Sequence, residues 1–435
     1  MLVRRFRLAA ALALACLLPG TGAGAAPFIL ADLDSGEVLD HQEATRPWYP
    51  ASLTKLMTAY VVLDAIRAGR ISFDTPIVYS ATAQAEPPSK MGFQVGQVVT
   101  VDNALKMMLV KSANDVAVML AEGVSGSVPA FVAEMNQAAA KLGMASTRFG
   151  NPNGLHDPGA MTSARDMAIL AKALFDTYPE QARYFGFQSI KLGNRVIRGY
   201  NALLGRYPGV DGMKTGFVCA SGFNIVATTK RNGKHLVAVV LGAHSARERA
   251  EQAAELFESQ FTGGLRLFVR SRGPGLLALP ASGYAQPTDM REEICSAAAR
   301  KKRWEAASEA EDVGSKKQAK KGKKAGAKGK APEPELATVA KQDTKPSLLA
   351  EKAVAMAPEP VFLGPNPANP TTAAPTVAAY APVPTAKPGV IDAPLGVIAI
   401  DTPVVAKMAA APTRGVKGAA RPVAFVPLPR PNPRR

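Results

Sequence analysis

Strand-like segments stand near both ends of the apolar, periodic part of this chain, and helical segments fill the stretch between them. Near the N-terminus, Phe28-Ile29-Leu30-Ala31-Asp32-Leu33 alternates in character, turns at Asp34-Ser35-Gly36 and resumes at Glu37-Val38-Leu39. That pattern predicts a hairpin with a glycine-containing turn. Three more strand-like runs cover 209–216, 222–229 and 236–241, the last two joined by an Asn232-Gly233 turn. Between the two strand groups, runs with helical spacing cover 53–66, 102–120, 128–142 and 163–175, and 248–261 returns to helix. The 102–120 run is interrupted at Lys111-Ser112-Ala113-Asn114. The hairpin has no neighbouring strand in sequence, so its sheet must be completed by the distant runs. The expected class is therefore α+β: one antiparallel sheet formed from both ends of a domain, flanked by helices.

Periodicity stops near residue 301. Lys316–Lys330 is a run of Lys, Ala and Gly, and the following hundred or so residues are rich in Pro, Ala and Val. Such a segment cannot bury enough surface to offset its ordering entropy. A disordered C-terminal tail with polyproline character is expected over 301–435. Charge concentrates there, with 22 Lys and Arg against 11 Asp and Glu, eleven of the net +17. Arg4, Arg5 and Arg7 add three more, so the folded part carries an ordinary charge and is not read as a nucleic-acid binder. A hydrophobic content of 47% is enough for a core.

The first 25 residues read as a secretory signal peptide. Arg4, Arg5 and Arg7 precede an apolar stretch, Leu8 to Leu18, that is too short to span a bilayer, and Ala23-Gly24-Ala25 fits a cleavage site. A lipoprotein signal ending at Cys16 fits less well, because Ala13-Leu14-Ala15 lacks Leu three positions before the cysteine. Export would leave Cys219 and Cys295 as an even pair in an oxidising compartment. A disulfide between them is the expectation, with two buried free thiols as the alternative. Residues 266–300 are expected to lie extended over the domain if that bond ties Cys295 back. An exported chain of this kind belongs in the periplasm or on the outer face of the inner membrane.

Three short motifs stand in order: Ser52-Leu53-Thr54-Lys55, Ser112-Ala113-Asn114 and Lys214-Thr215-Gly216. Alone, Ser52 is a helix cap and Lys55 a solvated lysine of the first turn. Together they suit nucleophilic chemistry. A serine hydroxyl needs a neighbour to take its proton. The i, i+3 spacing at a helix start puts Lys55 on the face of Ser52. Leu53, Leu56 and Met57 help dehydrate the ammonium, and burial with a neighbouring cation, Lys214, favours the neutral base. Backbone N–H groups at the helix start face a developing oxyanion. Ser112 and Asn114 are placed to relay a proton and hold an amide. Lys214 and Thr215 suit a carboxylate, and Gly216 allows close backbone approach on an edge strand.

The motifs with their surroundings, Pro50 to Thr58, Lys111 to Asp115, Ser163 to Ala168 and Val210 to Gly216, resemble the low-molecular-mass penicillin-binding proteins that are D-alanyl-D-alanine carboxypeptidases. The resemblance covers roughly residues 27–262. It implies a β-lactamase/transpeptidase-like fold over 26–265 and no cofactor. It implies that Ser52 forms an acyl-enzyme, Lys55 accepts its proton and Ser112 shuttles a proton. Asn114 would touch a substrate amide. Lys214, Thr215 and Gly216 would hold the terminal D-alanine carboxylate, with Arg249 facing the same group. The N–H groups of Ser52 and Phe217 would form the oxyanion hole. The implied partners are the peptidoglycan stem peptide and β-lactam antibiotics. Phe217 stands where the commonest family pattern has His, which removes any side-chain role at that place. The pattern after residue 265 shows neither the small β-rich domain nor the terminal amphipathic helix that many relatives carry.

Other readings make separable demands. A β-lactamase needs a deacylating carboxylate, usually in a Glu-x-x-Leu-Asn loop, and Gly150 to Gly159 lacks that motif. A peptidoglycan endopeptidase would use the same site on cross-links. A catalytically inactive wall-binding protein would not need the intact Ser52, Lys55, Ser112 and Lys214 set. His156, His235 and His244 are scattered without metal spacing, so no metal is expected. The Lys-rich run is a solvated segment or an electrostatic contact with membrane or wall polymer.

Overall fold

Strands β1 (Phe28–Asp32) and β2 (Val38–Gln42) form the N-terminal hairpin. Its turn closes because Asp32 Oδ1 accepts from the Ser35 amide at 2.8 Å while Gly36 takes the left-handed φ of +74°. The computed structural model describes residues 26–262, 273–301 and 347–364, all within one unit. Residues 1–25, read above as a signal peptide, and the Lys-rich run lie outside the described residues.

The hairpin joins β7 (Val210–Val218), β8 (Gly222–Arg231) and β9 (Lys234–Ala243) in a five-stranded sheet ordered β2-β1-β9-β8-β7. Every pairing is antiparallel; Phe28 faces Val240 across β1 and β9, and Lys214 faces Val226 across β7 and β8. The two ends of the domain thus meet at the centre of the sheet, and β7 is an edge. Strand period two sends alternate residues of β9 to opposite faces. Leu236, Ala238 and Val240 pack with Ala250, Ala253, Ala254 and Phe257 of the helix Ala246–Phe261. Val237, Val239 and Leu241 pack on the other side with Leu53, Leu56, Leu170 and Leu174. Burial on both faces explains why this strand reads as an unbroken apolar run. Each fully buried Leu or Val side chain contributes about 1.5–3 kcal/mol.

The helices Thr54–Arg67, Val101–Val110, Asn114–Ser125, Val128–Lys141 and Ala164–Thr177 cover one face. The interruption expected in the 102–120 run at Lys111–Asn114 separates the helices Val101–Val110 and Asn114–Ser125, and Ser112 adopts φ +59° in the break. Ser163 caps the helix Ala164–Thr177 by accepting from the Asp166 amide at 3.2 Å. Two small ladders were not legible in advance: β3 (Pro76–Val78) with β4 (Val98–Thr100), and β5 (Ser189–Leu192) with β6 (Arg195–Arg198).

Residues 273–301 lie over the N-terminal hairpin. The Val38 amide donates to the Pro274 carbonyl at 2.9 Å, and Leu276, Leu279, Met290 and Ile294 are buried. Cys295 closes the short helix Arg291–Cys295 and is bonded to Cys219 in the turn between β7 and β8, 76 residues away. Within the stretch read as a tail, 347–364 also lies on the domain. Its strand β10 (Glu359–Val361) adds to β5 in parallel, and Lys106 pairs with Glu359 at 2.8 Å.

Candidate active site

Ser52 lies in a 3-10 turn, Ala51–Leu53, that runs directly into the helix Thr54–Arg67. The residue before it, Ala51, is left-handed at φ +48°, an unusual conformation for a residue with a Cβ. Neighbours over-determine that geometry. Buried Asn224 on β8 donates through Nδ2 to the carbonyls of Tyr49 at 3.0 Å and Pro50 at 3.4 Å. Gly216 on β7 comes so near that a Cβ there would lie 3.0 Å from the Pro50 oxygen and 3.2 Å from the Ser52 nitrogen. Gly154, at φ +78°, approaches from another side; a Cβ there would lie 1.9 Å from the Ala51 oxygen.

One helical turn on, Lys55 Nζ donates to Ser52 Oγ at 3.1 Å and to Asn114 Oδ1 at 2.8 Å, and also to the Asn153 carbonyl. Lys55 is 0% exposed. Burial lowers its pKa to about 7, while the charges of Glu86 and Asp115 pull it upward. A neutral amine has two N–H donors and one lone pair. The Asn114 and Asn153 oxygens take the two donors, which leaves the lone pair for the Ser52 proton.

Ser112 sits in the break between two helices, and its Oγ accepts from Lys214 Nζ at 2.9 Å. Lys214 is buried on β7 and donates also to the Thr215 carbonyl at 2.9 Å. Burial first, then the nearby positive charges of Lys55 and Arg249, push its pKa well below the usual lysine range. An arriving carboxylate would oppose that shift and favour the charged lysine. Because Ser112 and Asn114 share one short loop, the Ser52–Lys55–Asn114 set and the Lys214–Ser112 pair meet there.

That loop is held from outside. Asp115, fully buried, accepts from Tyr79 Oη at 2.9 Å and from the amides of Met91 at 3.1 Å and Gly92 at 2.9 Å. The Asn114 amide donates to the Ser89 carbonyl at 2.7 Å, and its Nδ2 to the Pro87 carbonyl at 3.0 Å. Asn114 therefore orients Lys55 and the 87–92 loop together.

Thr215 is buried, and Phe217 is 42% exposed with its ring 4.3 Å from that of Phe223. Arg249 places Nη1 3.2 Å from the carbonyls of Gly216 and Asn224, and Nη2 3.4 Å from that of Tyr200. These bonds brace the Lys214–Phe217 strand from behind. Burial lowers the Arg249 pKa to about 10.

The motif reading missed Asn153, Glu86, Asn224 and Asp115. Asn153 acts through its backbone carbonyl and donates its Nδ2 to Glu86 Oε2 at 2.9 Å, so the carboxylate near Lys55 arrives from a different loop. Asn151-Pro152-Asn153-Gly154 carried a turn signal, the only hint that backbone groups were being presented there. Among the described residues no cluster of His, Cys, Asp and Glu suits a metal ion. Instead His156 stands edge-on to Tyr49, and His235 Nε2 lies 3.0 Å from Asp211.

A family model described as D-alanyl-D-alanine carboxypeptidase, peptidase S11, matches residues 19–245 and takes in all three motifs. D-alanyl-D-alanine carboxypeptidase DacC of Escherichia coli is 37% identical over 252 residues, covering 55% of this chain and 61% of that one. DacF of Bacillus subtilis is 34% identical over 239 residues, 54% of this chain and again 61% of the relative. The chain thus spans about three-fifths of the length of these curated relatives. Among solved structures, penicillin-binding protein 5 of Haemophilus influenzae superposes with a TM-score of 0.53 at 32% identity over 56% of this chain and 73% of that one. Penicillin-binding protein D2 of Listeria monocytogenes in a cefotaxime-bound form gives 0.50 at 30% identity, covering 56% of this chain and 100% of that one. With Ser52, Lys55, Ser112 and Lys214 brought together around the Ser112–Asn114 loop and the match running through each of them, the chain belongs to the D-alanyl-D-alanine carboxypeptidase family, peptidase S11.

Proposed function

We propose that this protein is a serine D-alanyl-D-alanine carboxypeptidase that removes the terminal D-alanine from peptidoglycan stem peptides. The observation that carries the reading is the wholly buried Lys55, Nζ 3.1 Å from Ser52 Oγ, with its pKa lowered to about 7. Neutral Lys55 takes the Ser52 proton as Oγ attacks the carbonyl carbon of the penultimate D-alanine. The oxyanion forms between the N–H groups of Ser52 and Phe217. Lys214 and Thr215 hold the terminal carboxylate, and Arg249 keeps their strand in place. The proton passes through Ser112 to the leaving nitrogen, the C–N bond breaks and D-alanine departs. Water, activated by the same lysine, then hydrolyses the acyl-serine.

A β-lactam carries a carboxylate beside a reactive amide, so it enters the same path and stays on Ser52. The cefotaxime-bound relative supports this part. We place the mature protein outside the cytoplasm, in the periplasm or at the outer face of the inner membrane, after removal of residues 1–25. The Cys219–Cys295 bond fits an oxidising compartment. The Lys-rich segment adds an electrostatic contact with membrane or wall polymer, which salt should release from envelope fractions. The site itself is tested with labelled penicillin. Wild type should acquire one covalent label and Ser52→Ala none; equal labelling of both would remove Ser52 from its role.

A further inference from the structure

Beside Lys214 and Thr215 opens a groove of about 420 Å³. Ser52, Lys55 and Asn114 do not line it, so it begins at the carboxylate-binding pair and runs away from the nucleophile. A cavity of this size is in the range that holds a ligand of many atoms, about 300–1,000 Å³, and exceeds what one alanine needs. Its lining includes two arginines, Arg198 and Arg206, beside Lys214, and no Asp or Glu. Tyr184, Phe187 and Tyr200 supply aromatic surface.

The far wall comes from the tail. Ala353, Ala355, Met356 and Pro358 line the groove without filling it. Both sides of this strap are fastened. The Ala350 amide donates to the Arg206 carbonyl at 3.0 Å, and the Val354 amide to the Gly205 carbonyl at 2.7 Å. Gln188 Nε2 donates to the Val354 carbonyl at 2.9 Å, and Gln188 Oε1 accepts from the Met356 amide at 3.1 Å. Beyond the groove, β10 joins β5, and Glu359 on β10 is paired with Lys106. Gly205, at φ +73°, is what admits the strap: a Cβ there would lie 2.5 Å from the Val354 oxygen.

We infer that this groove is a subsite for the departing residue, selecting one whose side chain is longer than alanine and ends in a carboxylate. In this assignment the strap 353–358 is its specificity-determining wall. The inference rests on the carboxypeptidase reading, because it takes Lys214 and Thr215 to hold the α-carboxylate of the departing residue. The C–N bond that breaks and the proton transfers are unchanged; only the amine that leaves differs. Arg198 and Arg206 face the second carboxylate, and Met356 sets the width available to the methylene chain.

The test compares two substrates with the same acyl part ending in D-alanine. One releases D-alanine, the other D-2-aminopimelate, and kcat/KM is measured for each with the full chain. In Arg198→Glu the ratio of aminopimelate to alanine release should fall about tenfold, the scale of one lost charge-assisted contact, while Arg198→Lys keeps most of it. Met356→Trp, which narrows the groove, should lower the same ratio about fivefold, as expected for a steric loss at one pocket wall. Both residues are exposed, Met356 by 49% and Arg198 on β6, so the fold tolerates the changes. A merely structural disturbance would move both substrates together and leave the ratio alone. Ratios equal to wild type in Arg198→Glu and Met356→Trp, with D-alanine still released, would overturn the subsite and leave the carboxypeptidase reading standing. A wild type that releases neither residue and takes up no penicillin would overturn that reading and the subsite with it.

Discussion

At the residue scale the account turns on the protonation of Lys55. Its amine must be neutral to accept the Ser52 proton, and its pKa is lowered to about 7 by burial. Acylation by penicillin should therefore rise as pH increases through about 7 and fall away on the acid side. Glu86 favours the charged lysine. Glu86→Gln removes that charge, keeps an oxygen for Asn153 Nδ2, and should move the acid limb to lower pH. A limb that stays in place or moves upward would show that Glu86 does not act on Lys55. The contacts of Ser52, Lys55, Ser112 and Lys214 were legible because each makes them through its side chain and stands in a fixed local spacing. Asn153 and Glu86 were not. One contributes a backbone carbonyl and the other a charge through space, and neither leaves a spacing to read.

At the scale of elements, the site is an agreement between a turn and an edge strand. Gly216 and Gly154 let β7 and the 151–154 loop close on the Ala51–Leu53 turn, and Asn224 ties that turn to the sheet. Gly216→Ala places a methyl 3.2 Å from the Ser52 nitrogen, so the edge must retreat from the nucleophile. The acylation rate should drop about tenfold to a hundredfold, the cost of sub-ångström misplacement, with little change in melting temperature. Gly154→Ala behaves differently, because strain at φ +78° adds to a contact of 1.9 Å with backbone. It should destabilise the fold by about 1–3 kcal/mol, read from denaturant unfolding. The sheet and the larger helices were legible from periods of 2 and 3.6. The ladders β3–β4 and β5–β6 were not, since strands of three or four residues are too short to display a period.

At the scale of the molecule, two distant segments are carried back to the domain. The Cys219–Cys295 bond closes a loop of 76 residues and constrains the unfolded chain. Its loss should cost about 4–5 kcal/mol in the chain-entropy account, lowering the melting temperature by about 10 °C or more on reduction. A melting curve indifferent to reductant would contradict that. The pairing followed from the even count of Cys219 and Cys295 under the expectation that the chain is exported. The strap was not, because composition speaks for a whole tail, whereas β10 is held by backbone ladder bonds and one ion pair, Lys106–Glu359. Those bonds make no demand on an alternating pattern.

The central claim is that Ser52, activated by Lys55, cleaves a D-alanyl-D-alanine bond. The direct measurement is release of free D-alanine from an acyl-D-alanyl-D-alanine peptide by wild type and by Ser52→Ala, at a pH above the Lys55 midpoint of about 7. The account predicts steady release by wild type and none above background by Ser52→Ala. Equal release by both proteins, or none by a folded wild type, would contradict it.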